Sequence, residues 1–281
     1  MDDLVATPDI AGALAWARER VGVMEARILL RHVLQCPPAR LVAHPEERLT
    51  DEDWAAYRAL VERREAGEPV AYLVGEREFF GRSFLVSPAV LIPRPETELI
   101  IELALAHFGN RPRPRVLDLG TGSGAIAVTL ARELDAADVT AVDASREALW
   151  VAMANAARLG ASVSFVQGSW FDALDGERFQ LIVSNPPYVA AGDPHLGEGD
   201  LRFEPHSALA AGADGLDDLK TIIAEAPRHL DDDGWLMLEH GYDQAAAVRS
   251  LLTDAGFTAI TSWADLAGIE RVTGGRWSGR H

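Results

Sequence analysis

The residues best placed to do chemistry are Asn185, Pro186, Pro187 and Tyr188, which end the apolar, β-leaning run Leu181-Ile182-Val183-Ser184. Neither proline can donate a backbone hydrogen bond, so a strand stops there. The residue before each proline is driven into an extended conformation, which holds two carbonyls and the Asn185 side chain rigidly at the strand's C-terminal edge. Such a corner can accept both N–H hydrogens of a planar amide or amino group, with Tyr188 beside it to stack on the plane. That is a grip for an NH2 nitrogen while a group is added to it. A strand closed by a Pro-Pro turn would give the same run with no chemistry attached, so a second motif has to decide.

That motif lies upstream. Residues 115–124 read RVLDLGTGSG, and residues 125–131 continue with apolar side chains at helical spacing. A strand, a glycine-rich turn and a helix form the first βα unit of a nucleotide-binding sheet. The next predicted strand, 138–143, ends in Asp143, where a carboxylate can take both hydroxyls of a ribose. The glycine spacing is G-x-G-x-G rather than G-x-G-x-x-G, and Asp118 lies two residues before Gly120. Negative charge there works against a diphosphate at the helix N-terminus. It could instead orient or bind the cationic amino acid end of S-adenosylmethionine. The pattern therefore favours a methyl donor over a nicotinamide dinucleotide.

Together the two motifs resemble those of class I S-adenosylmethionine-dependent methyltransferases. More narrowly, the chain is similar to the peptide chain release factor N(5)-glutamine methyltransferases. The resemblance covers nearly the whole chain, with further landmarks at Gly67–Phe79, Leu91–Glu98, Gly199–Pro205, Leu238–Gly241 and Glu270–Arg276. It implies an α/β fold: a Rossmann-like seven-stranded sheet with an antiparallel final strand, preceded by a small helical bundle and a β-hairpin connector. The implied reaction moves a methyl group from S-adenosyl-L-methionine to the side-chain amide nitrogen of the glutamine in the Gly-Gly-Gln motif of class 1 release factors. S-adenosyl-L-homocysteine is left behind, and translation termination is supported.

The resemblance also carries cofactor contacts onto Gly120, Thr121, Gly122, Ser123, Gly124, Asp143, Trp170 and Asn185, with the Trp170 ring flanking the adenine. Substrate contacts fall on Asn185, Pro186, Pro187 and Tyr188, of which Asn185, Pro186 and Tyr188 are the expected catalytic set. The Asn185 side-chain oxygen and the Pro186 carbonyl would each accept one N–H of the target amide. Arg94 and Glu96 would lie near the cofactor pocket, although helix capping alone explains their segment. Ser169 stands before Trp170 where the family usually has Asp. Glu239 and His240 end a strand as any cap would and receive no role.

The elements that must position these groups are legible in outline. Apolar residues recur at three and four through residues 1 to about 75, which predicts helices. Thr50 and Asp53 sit at capping-box positions, and Trp54, Tyr57, Leu60 and Val61 form a buried stripe. This domain, 1–75, packs as a bundle, and by resemblance it helps dock the substrate protein. Residues 76–95 read as a hairpin around Gly81-Arg82, and 96–281 as the methyltransferase domain. Predicted helices at about 146–159, 216–229 and 245–255 alternate with strands at 163–166, 181–184 and 234–239, and two β-like pieces follow at 257–262 and 269–273. The long 189–215 segment, rich in Gly, Asp and Pro, is expected to form a wall of the substrate slot.

Charge narrows the partners. The net charge is −17; residues 1–95 hold 12 basic and 15 acidic residues, so −14 falls on the remainder. A duplex-binding enzyme needs several cationic phosphate contacts, and there is no basic run. A nucleic acid amino-methyltransferase remains an alternative, because adenine and cytosine NH2 groups fit the same corner. A non-catalytic nucleotide-binding scaffold is a third. Cys36 is the only cysteine and the histidines are scattered, so neither an internal disulfide nor a metal site is expected. The acidic N-terminus and the lack of a long apolar run suggest a cytoplasmic protein with no membrane association, and a monomer is expected.

Overall fold

A computed structural model describes residues 7–279. The chain forms two compact units, Met1–Gly75 and Glu76–His281. The first six residues of the predicted helical domain lie outside the described residues.

The smaller unit is helical: α1 Ile10–Val21, α2 Val23–Leu34, α3 Pro38–Ala43, α4 Asp51–Glu65 and α5 Val70–Val74. Two helices start where a short polar side chain can satisfy an orphaned N–H. Asp9 accepts from Gly12 at 2.8 Å and Thr50 from Asp53 at 3.0 Å, caps that each stabilise by about 1 kcal/mol. Ile10, Leu29, Leu30, Tyr57 and Val61 are fully buried at the centre. The Tyr57 hydroxyl meets its hydrogen-bonding need by donating to the Ala26 carbonyl at 2.9 Å.

The larger unit opens on a hairpin, β1 Glu76–Phe79 and β2 Arg82–Leu85. Its turn residues Phe80 and Gly81 both have positive φ, 49° and 69°, the twist that suits a two-residue connection between antiparallel strands. Phe79 and Phe84 bury completely in this unit's core, so the hairpin contributes to packing as well as connecting. A 3-10 turn, Pro95–Thr97, leads into α6 Glu98–Phe108. Glu98 turns back to accept the Phe80 N–H at 2.8 Å.

The α/β alternation follows: β3 Arg115–Leu119, α7 Ala125–Glu133, β4 Asp138–Asp143, α8 Arg146–Leu159, β5 Ser164–Gln167, β6 Phe179–Ser184, α9 Asp217–His229, β7 Leu230–Glu239, α10 Ala245–Asp254, β8 Thr258–Ala264 and β9 Glu270–Arg276. The seven strands pair in the order β5-β4-β3-β6-β7-β9-β8, with the first five parallel and β9 antiparallel to both neighbours. The expected antiparallel final strand is therefore present. Helices cover both faces, so successive strand residues serve two cores: Val116 packs with Ile101 and Leu130, and Leu117 with Ile222 and Leu236.

This topology sets the site. Strand order runs outward in one direction through β3, β4 and β5 and in the other through β6 and β7, which opens a crevice beyond the C-terminal ends of β3 and β6. Leu119 is in register with Ser184 and with Val142, and Ser184 with Leu238. The residues that follow these four, Gly120, Asn185, Asp143 and Glu239, thus emerge side by side. Ser184 Oγ donates to the Leu119 carbonyl at 2.7 Å and locks the two central strand ends together.

Candidate active site

The crevice is a cavity of about 380 Å³, within the range of pockets that bury a nucleoside-sized ligand. Gly120, Thr121, Gly122 and Ser123 form one side, with Asp143 and Trp170 nearby, and Asn185 and Pro187 face them. All these predicted positions converge. Three others do not line it: Gly124, Pro186 and Tyr188.

The glycine turn explains its own composition. Gly120, Gly122 and Gly124 all have positive φ, 70°, 55° and 79°, where side chains strain the backbone. A Cβ on Gly122 would meet nothing within 4 Å, whereas one on Gly124 would reach Ala152 Cβ at 3.0 Å. Gly122 therefore keeps the cradle open to a ligand, and Gly124 lets α7 pack on α8. Beneath the turn, Asn155 donates to the Ser123 carbonyl at 2.8 Å and exchanges hydrogen bonds with the Leu85 backbone. Sequence periodicity hides this clamp, because Asn155 reads as one polar residue on an ordinary helix.

Asp118 is placed differently from its sequence reading. It is fully buried under the loop and does not face the cavity; its Oδ2 accepts from Thr121 Oγ1 at 2.6 Å and from the Ala127 N–H at 3.1 Å. It thus holds the turn and the first turn of α7 from below. Desolvation pushes its pKa up to about 7 against the pull of these two hydrogen bonds, and its Oδ1 has no partner.

Asp143 does face the cavity. Its Oδ2 accepts the Gly122 N–H and its Oδ1 the Ser145 N–H, both at 2.8 Å. Burial raises its pKa while those two bonds lower it. Each carboxylate oxygen has a second lone pair for a ribose hydroxyl. The half-buried Trp170 packs against the core, lies 3.4 Å from the position of a Gly120 Cβ, and lines the cavity. Ser169 also lines the cavity; Arg94 does so too, but exposed Glu96 does not.

At the acceptor corner, Pro186 is buried and Asn185 Nδ2 donates to Thr97 Oγ1 at 3.1 Å. That bond turns the other end of the amide, Oδ1, away from Thr97. The Tyr188 ring packs against the core and its hydroxyl donates to Glu239 Oε1 at 3.3 Å. The 189–215 segment closes the far wall with Pro205, Ser207 and Ala208. It is ordered by three 3-10 turns and by buried Glu204, which accepts the Ile92 N–H at 3.0 Å and pairs with Arg94. Thr97, Asn155, Glu204 and Glu239 escaped the sequence reading because each acts across a long sequence separation.

The glycine turn and the Asn185 corner thus face one another across the cavity, and comparison with known proteins gives the family. Residues 13–75 match the PrmC N-terminal domain and residues 98–197 the Methyltransferase small domain. The chain is 50% identical over 273 residues to the release factor glutamine methyltransferase of Xylella fastidiosa (strain Temecula1), covering 97% of this chain and 99% of that one. Its identity to the enzyme of the same name from Burkholderia pseudomallei is 53% over 263 residues, covering 91% and 92%. The chain belongs to the release factor glutamine methyltransferase family. Among solved structures, a methyltransferase from Pyrococcus furiosus superposes with a TM-score of 0.54 at 20% identity over 79% of this chain and 98% of that one. A T. thermophilus 16S rRNA methyltransferase in complex with AdoMet and guanosine gives 0.54 at 20%, over 73% and 50%. These two likenesses speak for the class I methyltransferase fold alone. No described helix is long and apolar enough to cross a membrane.

Proposed function

We propose that this protein transfers a methyl group from S-adenosyl-L-methionine to the side-chain nitrogen of the Gly-Gly-Gln glutamine in class 1 release factors. Family membership at this identity carries the substrate. The observation that carries the chemistry is the adjacency of Gly120 and Asn185 at the ends of two paired strands. The residues present fit the cofactor: an open glycine turn, a carboxylate at the end of β4 and an indole against the cavity. When bound, S-adenosylmethionine supplies an electrophilic sulfonium methyl, so no metal or covalent intermediate is required.

The protein's task is placement. An amide nitrogen is a poor nucleophile because its lone pair is shared with the carbonyl. The Asn185 Oδ1 and the Pro186 carbonyl each accept one N–H, which aims the lone pair and favours charge developing on nitrogen; the N–CH3 bond would form as the S–CH3 bond breaks, and one N–H proton would then leave to water. Correct placement can supply roughly 7–11 kcal/mol of the barrier. A glutamate in place of the glutamine offers oxygens to these acceptors and is rejected, by about 10⁴–10⁵ for sites of this type. Tyr188 braces the corner through Glu239, and Pro187 fixes the turn. The helical unit helps dock the release factor, and the acidic surface of this chain suits basic surfaces on its partner.

We further infer a cytoplasmic monomer that does not bind nucleic acid directly. The test is incubation with labelled S-adenosylmethionine and a purified release factor, followed by peptide mapping. Label on the Gly-Gly-Gln glutamine is the expected outcome; label only in added nucleic acid, or none, would overturn the proposal.

A further inference from the structure

Gln244 lies between β7 and α10 and does not line the cavity. It is the N-cap residue of α10, yet its side chain makes no capping hydrogen bond, and helices prefer Ser, Thr, Asp, Asn or Gly at that position. Helix formation therefore does not account for a glutamine here. The side chain is engaged elsewhere. Its Oε1 accepts the Gly241 N–H at 2.8 Å, and its Nε2 donates to the Tyr188 carbonyl at 2.9 Å. The Gly215 and Asp214 carbonyls lie 3.4 and 3.5 Å from the same Nε2, within reach of its second hydrogen.

The partners fix the polarity of this amide. A backbone N–H only donates and a carbonyl only accepts, so Gly241 must face the oxygen and Tyr188 the NH2. Gly241 is itself anchored. The buried His240 donates from Nδ1 to the Gly241 carbonyl at 2.9 Å, and its Nε2 is bonded to Thr273 Oγ1 on β9 at 2.7 Å. The amide thus ties the downstream end of the Asn185–Tyr188 corner to the end of β7. It also gathers the two ends of the 189–215 wall segment, Tyr188 just before it and Gly215 at its close. Gly215 has φ 73°, and a Cβ there would collide with the Tyr188 carbonyl oxygen and stand 2.8 Å from Gln244 Nε2.

The corner needs such a tie. Its two prolines have no N–H with which to fasten it, and the Pro186 carbonyl must stay free for the substrate. Upstream the corner hangs on β6; downstream, the Tyr188 carbonyl lies only two residues past that of Pro186. Resting on the function proposed above, we infer that Gln244 is a positioning residue for methyl transfer: by holding the Tyr188 carbonyl, with that of Gly215 beside it, on one amide, it fixes where the acceptor corner and its wall meet the substrate glutamine.

The test measures methyl transfer to a class 1 release factor by the full-length wild type, Gln244→Glu and Gln244→Met, with cofactor affinity by calorimetry. Assays run at about pH 8, well above the ordinary range of a carboxyl. The carboxylate introduced by Gln244→Glu can still accept the Gly241 N–H but has no hydrogen for the Tyr188 carbonyl; Gln244→Met keeps the length and removes both bonds. Each variant is expected to lower kcat about 100-fold, the cost of a misplaced reacting group, with cofactor Kd held within about twofold. Gln244→Glu should be at least as slow as Gln244→Met. A residue that served only the local fold at Gly241 would give the opposite order, so wild-type kcat in Gln244→Glu would overturn the inference alone. A cofactor Kd that weakens as much as kcat falls would do the same. Should Gln244→Glu fail to fold, Gln244→Met decides by its kcat and Kd: a lowered kcat at unchanged Kd supports the inference, and wild-type kcat overturns it. No transfer by the wild type would overturn the proposed function, and this inference with it.

Discussion

The donor side and the acceptor side of the crevice are built by opposite means. The donor turn is held by nearby residues and by its own backbone: three glycines at positive φ, Asp118 three residues from Thr121, and Asp143 at the end of the adjoining strand. The acceptor corner is short and stiff by its prolines, but its Asn185 amide hydrogen-bonds Thr97 and its Tyr188 hydroxyl Glu239, both from other parts of the chain. A site that must cradle a ligand can be specified locally. A site that must present one particular atom needs long-range contacts.

The sharpest way to break this contrast is to remove the presented atom. Asn185→Ala should lower kcat by about 10²–10³-fold, the usual cost of removing one preorganised partner of developing charge, while most cofactor affinity survives. Steady-state kinetics and calorimetry on the same preparation check both halves. Near-normal turnover would mean that the corner does not hold the amide.

The donor side should show the reverse split. Asp143→Ala removes the acceptor of the Gly122 and Ser145 N–H groups together with the ribose contact. Charged hydrogen bonds are worth about 1.5–3 kcal/mol, so cofactor Kd should weaken by roughly 10–100-fold, with kcat at saturating cofactor changed far less. An unchanged Kd would remove Asp143 from the cofactor site.

Sequence legibility followed the same division. The donor turn could be read because its constraints lie within a few residues: strand, glycines, helix and the next strand's acid occur in order. The corner could be located because two prolines end a strand. What holds it could not, since Thr97 lies inside a Pro-rich segment that capping explains equally well, and Glu239 looks like any strand end. Asp118 was misplaced for a related reason. Its spacing from the glycines was plain, but whether a carboxylate at that position points into a pocket or under a loop depends on the packing of α7 above it. Strand order was legible only through family resemblance, because periodicity identifies strands and not their neighbours. The 189–215 segment, read from composition as a loop wall, is ordered by three 3-10 turns, a Val189–Ala210 bridge and the buried Glu204, contacts that composition does not display.

Gly124→Ala sharpens the donor side further. The new methyl sits at a φ of 79° and meets Ala152 at 3.0 Å, so a stability loss of about 1–3 kcal/mol is expected, read as a lower urea midpoint. A wild-type midpoint would mean that the turn relaxes more easily than its packing implies.

The last effect concerns pH. Glu239 rises on folding from 4.5 to about 7. A carboxyl raised on folding contributes stability that is complete below its unfolded value and lost as pH climbs through the folded one. The wild type should therefore lose stability relative to Glu239→Gln between pH 4.5 and 7, measured as paired unfolding curves. A constant difference across that window would show that Glu239 titrates at its ordinary value.

The most direct measurement is a crystal structure of the enzyme with S-adenosylhomocysteine and a peptide carrying the Gly-Gly-Gln sequence. The account predicts the glutamine nitrogen about 2.7–3.2 Å from Asn185 Oδ1, with the Asn185 NH2 still on Thr97 and the cofactor sulfur facing the same nitrogen. A glutamine held by other groups, or a sulfur turned away from Asn185, would contradict it.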